Sequence, residues 1–182
     1  MKGLTPYLKV LGVILILVLI GIGLYIVPPH ELVQRIGVEN SYLVGFLIAL
    51  FAGVSSFTGS AAYATVAALA QGGADPIILG IVAGIGLFLS DTIFYALIYK
   101  GFESVSDTSP FYAKLQRTLS TVPVWLALSV VYLYTAFTPL PNDLLLIALL
   151  AVGYSYRVFA PVLLAGAITL MLLLTHVGLM WI

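Results

Sequence analysis

Residues 42–71 read YLVGFLIALFAGVSSFTGSAAYATVAALAQ, a stretch without a single charged side chain. As one helix it would be about 45 Å long, whereas the hydrocarbon core of a bilayer is about 30 Å thick. Small and hydroxylated residues at 55–60 interrupt it. The two pieces, residues 41–54 and 60–71, would be about 21 and 18 Å long, so neither spans comfortably. The stretch therefore predicts a re-entrant helical hairpin, which enters and leaves the membrane on one side.

The composition of the whole chain also indicates a membrane protein. Of its 182 residues, 62% are hydrophobic and 8% are charged, and the mean hydropathy is +1.18. About a quarter of the residues in soluble domains are charged, so this chain would lack a soluble surface. The net charge of zero argues against nucleic acid as a partner. The absence of cysteine excludes disulfides, thiolate metal sites and cysteine nucleophiles.

The first half of the chain contains an N-terminal helix and one hairpin unit. Val10 to Val27 carries no charge and is longer than the apolar part of a signal peptide, about 7–15 residues. We therefore predict a transmembrane helix at residues 8–27. A charged stretch, residues 31–39, is expected at the interface. Repeat 1, residues 41–99, then combines the hairpin, a turn at 72–76 and a spanning helix at 77–99.

The second half repeats this order of elements. Residues 100–121 are polar and predict a cytoplasmic loop with a short amphipathic helix. Repeat 2, residues 122–182, begins with an apolar stretch that Pro-Leu-Pro-Asn-Asp breaks at 139–143. A short apolar piece at 144–152 completes the second hairpin. A turn at 153–160 and a spanning helix from Pro161 follow.

Matching positions in the two halves support a repeat of about 85 residues. Pro76 and Pro161 precede the two spanning helices, and Asp91 and His176 each follow their proline by 15 positions. Because each hairpin returns to its own side and each spanning helix crosses once, the halves run in opposite directions. Inverted repeats of this kind build transporters. We predict an all-α integral membrane protein, one domain over residues 1–182, with two inverted repeats and an additional N-terminal helix.

The basic residues indicate the orientation of the chain. One side of the predicted topology carries Lys2, Lys9, Lys100, Lys114 and Arg117, and the other carries Arg35 and Arg157. The positive-inside rule then places the N-terminus and the 100–121 loop in the cytoplasm. We expect the plasma membrane of a prokaryote. The sequence leaves the oligomeric state open, with a homodimer as one option.

Two groups of motifs resemble one known family over roughly residues 40–180. The first group is Ala70-Gln71-Gly72 with Ser90-Asp91, Tyr95 and Lys100-Gly101; the second is Phe137-Thr138-Pro139-Leu140-Pro141-Asn142-Asp143. Their order is similar to that of the DedA/VTT family, also called SNARE-associated Golgi proteins. The resemblance implies two facing re-entrant hairpins and translocation of a lipid or lipid-linked phosphate. The chain departs from the family by lacking the acidic residue at the first break and the arginines around the second.

Candidate site residues lie at the two breaks and on the spanning helices. A charge inside the bilayer costs about 2.5–3.5 kcal/mol on insertion scales, so Asp91 and Asp143 are functional candidates by default. Asp143 could carry a proton or bind a cation, or could cap the helix that follows. Asp91 could instead be a buried acid bonded to its neighbours. The predicted substrate or ion site comprises Asp143, Asp91, Asn142, Pro139, Pro141, Ser56, Thr58, Gly59, Ser60 and His176.

Other members of this set also have two interpretations. His176 could relay protons near neutral pH, or be a packed or interfacial residue. The first break could bind an anion, or its small residues could let helices pack closely. Gly80, Gly84 and Gly86 predict a helix-packing face. Four tyrosines favour an interfacial belt over a ligand cage, namely Tyr132, Tyr134, Tyr154 and Tyr156.

Three functions fit the sequence. The first is a transporter that moves or scrambles a lipid or lipid-linked phosphate between leaflets, with proton coupling as an option. The second is a proton-coupled exporter of a small ion or molecule. The third is a membrane scaffold, in which Asp91 and Asp143 would be dispensable. The expected partners are membrane lipids and protons or a small cation.

An enzymatic function is not expected. Gly59-Ser60 and His176 are faintly similar to elements of rhomboid proteases, but Thr58 stands where that pattern needs glycine, and the chain has too few crossings. A serine and a histidine must also lie within hydrogen-bond reach to act together. The sequence contains no metal-ligand cluster, P-loop or nucleotide motif, and we predict no cofactor.

Overall fold

The computed structural model describes residues 29–52, 58–106, 122–138 and 142–180. Within these ranges the chain is helical and contains no strand, which confirms the predicted all-α class for this part. The helices are α1 Pro29–Ile36, α2 Val38–Ala52, α3 Thr58–Gln71, α4 Pro76–Ser106, α5 Val124–Phe137, α6 Asp143–Val152 and α7 Tyr156–Met180. The predicted N-terminal helix at 8–27 lies outside the described residues.

Two of these helices are long and apolar enough to cross a membrane, Pro76–Tyr99 in α4 and Tyr156–Val177 in α7. One side of α4 exposes a large apolar side chain at every fourth position, including Ile77, Ile81 and Ile85. Residues four apart lie on the same helix face, so these side chains form one continuous stripe. Such a stripe would be unfavourable in water and suits contact with lipid.

Both long helices extend beyond their predicted bounds. Residues from 100 onward were predicted as a loop, but α4 continues to Ser106, and 107–121 lie outside the described residues. The turn predicted at 153–160 is shorter, because α7 begins at Tyr156 and contains Pro161 inside the helix. Proline was taken as a helix start, yet helices in membranes tolerate it where neighbouring groups satisfy the freed carbonyl.

Glycines set the distance between the helices at their crossings. A Cβ on Gly84 would lie 2.6 Å from the Cα of Ile168 on α7, and one on Gly86 would lie 2.5 Å from the carbonyl oxygen of Phe46 on α2. Real Cβ atoms do not approach this closely, so a larger residue at either position would push the backbones apart. The predicted packing face is therefore confirmed for Gly80 and Gly84, which both face α7, whereas Gly86 lies on a different face and packs on α2.

Each of the two short-helix pairs starts and finishes at the same end of the bundle. In the α2–α3 pair, the hydroxyl of Tyr42 accepts a hydrogen bond from the backbone N–H of Asp75, at 3.1 Å. In the α5–α6 pair, the hydroxyl of Tyr154 donates to the carbonyl oxygen of Val122, at 3.0 Å. The α2–α3 pair finishes beside the start of α4. The α5–α6 pair finishes beside Tyr99, which lines a cavity with Tyr154 at the other end of the α4 span.

The long helices run antiparallel and form the centre of the bundle. The hydroxyl of Thr175, near the end of α7, donates to the carbonyl oxygen of Pro76, at the start of α4. The α2 helix packs on α4 and α5 packs on α7, while α3 packs on α7 and α6 packs on α4. Each long helix therefore contacts short helices of its own half and of the other half.

The structure corrects the predicted position of Arg157. The sequence placed this residue on the side opposite Lys100, but Arg157 lines a cavity together with Tyr99, the residue before Lys100 on α4. Arg157 therefore lies at the same end of the bundle as the segment that leads to residues 107–121. The error lay in the assignment of sides, because the predicted hairpin at 122–152 already returns the chain to the end where it began, as the Tyr154–Val122 hydrogen bond shows.

Candidate functional site

The centre of the candidate site is a hydrogen bond between two buried polar side chains. The amide nitrogen of Asn142 donates to Oδ2 of Asp91, at 2.8 Å. Asp91 is 3% exposed and Asn142 is 7% exposed. The bond joins the middle of α4 to the start of α6 across 51 positions of sequence. Two residues of the predicted site are thus in direct contact.

Asn142 occupies the position before the first residue of α6, where asparagine usually caps a helix. Its side chain makes no capping hydrogen bond here. The amide donates instead to Asp91, so a group that would normally serve the helix end serves a contact with α4. The helix-cap role proposed for Asp143 needs correction, because Asp143 is the first residue of α6 and Asn142 holds the cap position.

Asp143 lies next to this pair, half-buried in the first turn of α6. A carboxylate at this position interacts favourably with the helix dipole. Asp143 is close enough to Asp91 for their charges to interact. It also interacts electrostatically with Tyr134 on α5 and Tyr63 on α3. The two acids therefore share one environment, to which α3, α4, α5 and α6 all contribute.

Among the described residues, Asp91 is hydrogen-bonded to the neutral amide of Asn142 and not to a cation. Within the described ranges, the one ion pair joins Arg35 to Glu31 on α1, at 3.4 Å. The sequence also allowed Asp91 to be a buried acid bonded to a neighbour on its own helix, such as Ser90, Tyr95 or Lys100. The hydrogen bond seen in the described residues is with Asn142 instead. An isolated buried charge is expensive, so a proton or a mobile cation is the natural means of neutralising Asp91.

Two buried hydroxyls in the described ranges have no hydrogen-bond partner, Ser90 Oγ and Thr135 Oγ1. Ser90 precedes Asp91 on α4, and both residues are buried. Buried polar groups are usually paired, and an unpaired one costs about 1–3 kcal/mol. A water molecule or a substrate group beside Ser90 would remove that cost. Ser90 lies one turn after Gly86, which packs on α2, so its hydroxyl is a feature separate from the Asp91–Asn142 contact.

His176 does not belong to this site. It lies on the surface of α7, where Nδ1 is 2.7 Å from the carbonyl oxygen of Leu172. The adjacent Thr175 contacts Pro76, which begins α4, whereas Asp91 lies 15 residues further along that helix. Fifteen helical residues correspond to about 22 Å. The structure therefore separates the two residues that the repeat had paired, and a local contact is all that His176 makes within the described part.

The first break is only partly described. Helix α3 begins at Thr58, so Thr58 and Gly59 are helical and the helix starts two residues before the predicted residue 60. Gly59 lies one turn before Tyr63, whose ring would be 3.9 Å from a Cβ at that glycine. Ser56, Pro139 and Pro141 lie outside the described residues. Whether the two break tips meet stays a prediction, although Tyr63 and Asp143 bring their flanks within electrostatic range.

A separate cavity of about 750 Å³ lies at the Tyr99 end of the bundle. Its walls include Thr92 and Tyr95 from α4 and Tyr156 and Arg157 from α7. The rings of Tyr95 and Tyr156 are 4.7 Å apart, and the hydroxyls of Thr92 and Tyr156 are hydrogen-bonded. The tyrosine belt proposed from the sequence is thus divided, since Tyr154 and Tyr156 line this cavity while Tyr134 interacts with Asp143.

Sequence reasoning missed Tyr63 and gave Arg157 only a topological role. Tyr63 stands in an alanine-rich stretch without a distinguishing neighbour, so no local signal marks it. Arg157 follows a helix break, as Asp143 does, and this position in the sequence could have indicated that Arg157 is a candidate site residue. Within the described part, no three of the metal-binding residue types His, Asp, Glu and Cys are grouped to hold a metal ion.

Comparisons with family models, with curated proteins and with solved structures found no match to this chain. The case for function therefore rests on the geometry of the helices and of the Asp91–Asn142 site.

Proposed function

We propose that this protein is a membrane transporter of the DedA/VTT type that moves a lipid or lipid-linked phosphate between leaflets. The observation that carries the proposal is the buried Asp91–Asn142 pair at a helix break, without a balancing cation among the described residues. Ionisable residues inside membranes are expensive and mark ion, proton or substrate paths. Transporters place such sites where helices are broken near the bilayer midplane.

The arrangement of the helix pairs supports two re-entrant hairpins. Helix α2 has 15 residues and α3 has 14, lengths of about 22 and 21 Å, too short to cross about 30 Å of hydrocarbon. Helix α6 has 10 residues and is shorter still. The Tyr42–Asp75 and Tyr154–Val122 hydrogen bonds hold the two ends of each pair together. Broken backbone at membrane depth is tolerated inside protein or beside water.

The register of the central crossing supports an inverted repeat. A two-fold axis that relates halves 85 positions apart would pass between α4 and α7 where facing residues differ by about 85 in number. Gly84 faces Ile168, 84 positions later, and approaches it more closely than Gly80 approaches Leu172. The offset of 85 residues in the sequence and the Gly84–Ile168 contact in the structure are therefore consistent with an axis at this crossing. Such an axis in the membrane plane is typical of transporters with inverted repeats.

The site suggests how transport could be coupled to protons. In this mechanism a proton or cation neutralises Asp91 or Asp143 in one state and leaves in the other. Asn142 holds Asp91 in place through its amide and can accept a hydrogen bond through its own oxygen. The substrate phosphate and the acid carboxylates repel each other, so loss of charge at the acids would favour arrival of the phosphate. This coupling belongs to the proposal and replaces the family's missing arginines.

The orientation also belongs to the proposal. With Arg157 moved to the Tyr99 end, six of the seven basic residues in the predicted topology would lie on one side, and Arg35 would remain on the other. The positive-inside rule places that side, and the N-terminus, in the cytoplasm. A prokaryotic plasma membrane fits this arrangement.

The experiment that tests the function measures two activities in liposomes, lipid scrambling with a fluorescent phospholipid and proton flux with a pH-sensitive dye. We expect the wild-type chain to scramble lipid and Asp91→Asn to lose most of this activity. His176→Asn removes the repeat-equivalent residue on the surface and serves as the matched control. Proton flux without scrambling would favour the exporter of a small ion or molecule. Absence of both activities in the wild-type chain would favour the scaffold, and wild-type scrambling by Asp91→Asn and Asp143→Asn would show that transport does not depend on these acids.

A further inference from the structure

We propose that the cavity beside Arg157 binds the headgroup of an anionic phospholipid, and that an acyl chain of this lipid lies between α5 and α6. The inference deepens the proposed transport function and rests on it, because it names the class of lipid and its site at the Tyr99 end. The Asp91 site is separate from this one.

The headgroup part of the site is the 750 Å³ cavity. Its polar lining consists of hydroxyl groups and one guanidinium, from Thr92, Tyr99, Tyr154, Ser155, Tyr156 and Arg157. None of the described residues that line it is acidic. Within the described ranges no carboxylate pairs with Arg157. The hydroxyls of Thr92, Tyr154 and Tyr156 are already hydrogen-bonded within the protein. The guanidinium of Arg157 is therefore the group that supplies charged donors to the oxygens of a phosphate diester.

The acyl part of the site is a second cavity of about 360 Å³ between α5 and α6. Apart from Tyr154, its lining is entirely aliphatic, with Val130 and Leu126 from α5 and Leu145 and Ala148 from α6 among the wall residues. Tyr154 lines both cavities, and the hydrogen bond from its hydroxyl to Val122 fixes its ring at their boundary. The cavity that holds the Arg157 guanidinium and the aliphatic cavity therefore adjoin at a single tyrosine.

This pairing selects a lipid over the other occupants. A soluble anion would fill the Arg157 cavity and leave the space between α5 and α6 empty. A second copy of the chain or another apolar helix would fill the second cavity and leave the guanidinium unpaired. A phospholipid with a net negative charge satisfies both at once, and in a bilayer it is available at high local concentration at this depth. The charge of Arg157 favours anionic over zwitterionic headgroups.

The test is native mass spectrometry of the full chain in detergent, with added phosphatidylglycerol or phosphatidylcholine of identical acyl chains. We expect phosphatidylglycerol to remain bound about tenfold more than phosphatidylcholine, as one charged hydrogen-bonded contact implies. Arg157→Gln should reduce phosphatidylglycerol to the level of phosphatidylcholine. Arg35→Gln removes an equal charge from the surface of α1 and should change nothing.

A second pair of variants tests the acyl part. Ala148→Trp fills the space between α5 and α6 and should lower phosphatidylglycerol retention severalfold, whereas Ala64→Trp on the exposed side of α3 should not. Soluble glycerol phosphate in excess should fail to displace the lipid. Displacement by glycerol phosphate, or equal retention by Arg157→Gln and wild type, would overturn the inference.

The outcome can be separated from the fate of the proposed function. Retention of phosphatidylglycerol that depends on Arg157, in a protein that does not scramble lipid, would support the binding site and reject transport. If the protein scrambles lipid but retains phosphatidylglycerol equally well with and without Arg157, the result would support transport and reject the binding site.

Discussion

Asp91 and His176 hold the same position in the two halves of the chain, each 15 residues after a proline of a long helix, yet their surroundings are opposite. Asp91 is buried and bonded across the bundle to Asn142, whereas His176 is exposed and contacts only its own helix within the described residues. The difference shows that matching positions fix the depth along a helix but not the neighbours of a side chain. The described site is shared between the halves, with Asp91 from the first and Asn142 from the second, and His176 takes no part in it.

The cores of the two ends show the same asymmetry. At the Pro76 end, α2, α3, α4 and α7 pack through a continuous cluster of apolar residues that includes Val66, Leu79 and Met171. At the Tyr99 end, the cluster around Tyr95, Leu146 and Phe159 adjoins the Arg157 cavity and the Asp91 site. The Pro76 end is therefore close-packed, whereas the Tyr99 end combines a packed cluster with a cavity that a ligand could occupy.

The largest effect is expected from cysteine labelling, which is all or none. Single cysteines at Tyr42 and Gly73 should react with a membrane-impermeant reagent from one side, and cysteines at Val122 and Gly153 from the other. The physical reason is that each hydrogen-bonded pair of ends must lie on a single side. Labelling Tyr42→Cys and Gly73→Cys from opposite sides would disprove the re-entrant hairpin and end the comparison of the two halves.

Gly84→Val should destabilise the crossing of α4 and α7. Its Cβ would clash with the backbone of Ile168, and overpacking of this kind costs about 1–3 kcal/mol. We expect a lower thermal unfolding temperature in detergent, monitored by tryptophan fluorescence. Gly59→Ala is the control, because its nearest neighbour atom would be 3.9 Å away. Equal melting of the two variants would show that the α4–α7 contact is not close-packed.

A double-mutant cycle should separate the buried pair from the exposed histidine. Asp91→Leu alone leaves the amide of Asn142 buried without an acceptor, at a cost of about 1–3 kcal/mol. The Asp91→Leu, Asn142→Leu double variant should recover part of this loss, because both polar groups are gone. His176→Leu should change stability by less than about 0.5 kcal/mol. Strict additivity in the cycle would mean that the two side chains do not interact.

Asp143→Asn should have the smallest effect, on transport and not on stability. We expect folding and insertion to be retained, while pH-dependent transport is lost, because the variant removes the carboxylate that is proposed to carry the proton. Asp91, Tyr63 and Tyr134 are the titratable groups that interact with it and must be kept intact. The measurement is initial scrambling rate against pH. An unchanged pH profile would reject Asp143 as the coupling residue.

Much of the helical framework could be predicted because it depends on local properties. Uninterrupted apolar length gave the two long helices, and the Gly-Gly-Ala-Asp-Pro turn gave the start of α4. Asp75 caps that helix by accepting hydrogen bonds from the backbone N–H groups of Ile77 and Ile78, both at 2.9 Å. Helix ends were less predictable, as Pro161 shows, because tertiary contacts can carry a helix through a residue that usually begins one.

The candidate site could be predicted only in part. Asp91 and Asn142 stood out because polar residues are rare in apolar stretches, but their contact depends on how α6 packs against α4. Tyr63 could not be predicted as a site residue, because its interaction with Asp143 depends on the position of α3 beside the second break. His176 was overvalued because an equal offset along the chain was taken to imply an equal environment. Contacts between residues far apart in sequence, such as Asp91 and Asn142, depend on how the helices pack and cannot be read from local sequence.

The contact between Asp91 and Asn142 also affects how the chain is made. The partner of Asp91 is encoded 51 residues later, and at about 5–20 residues per second a ribosome needs about 3–10 seconds to reach it. During this interval α4 must enter the membrane with its acid unpaired by Asn142, at an insertion cost of about 2.5–3.5 kcal/mol. The 24-residue apolar length of Pro76–Tyr99 provides the surplus that tolerates it. The isoleucine-rich stripe of α4 thus helps the nascent helix to insert into the membrane before it contacts lipid in the folded protein.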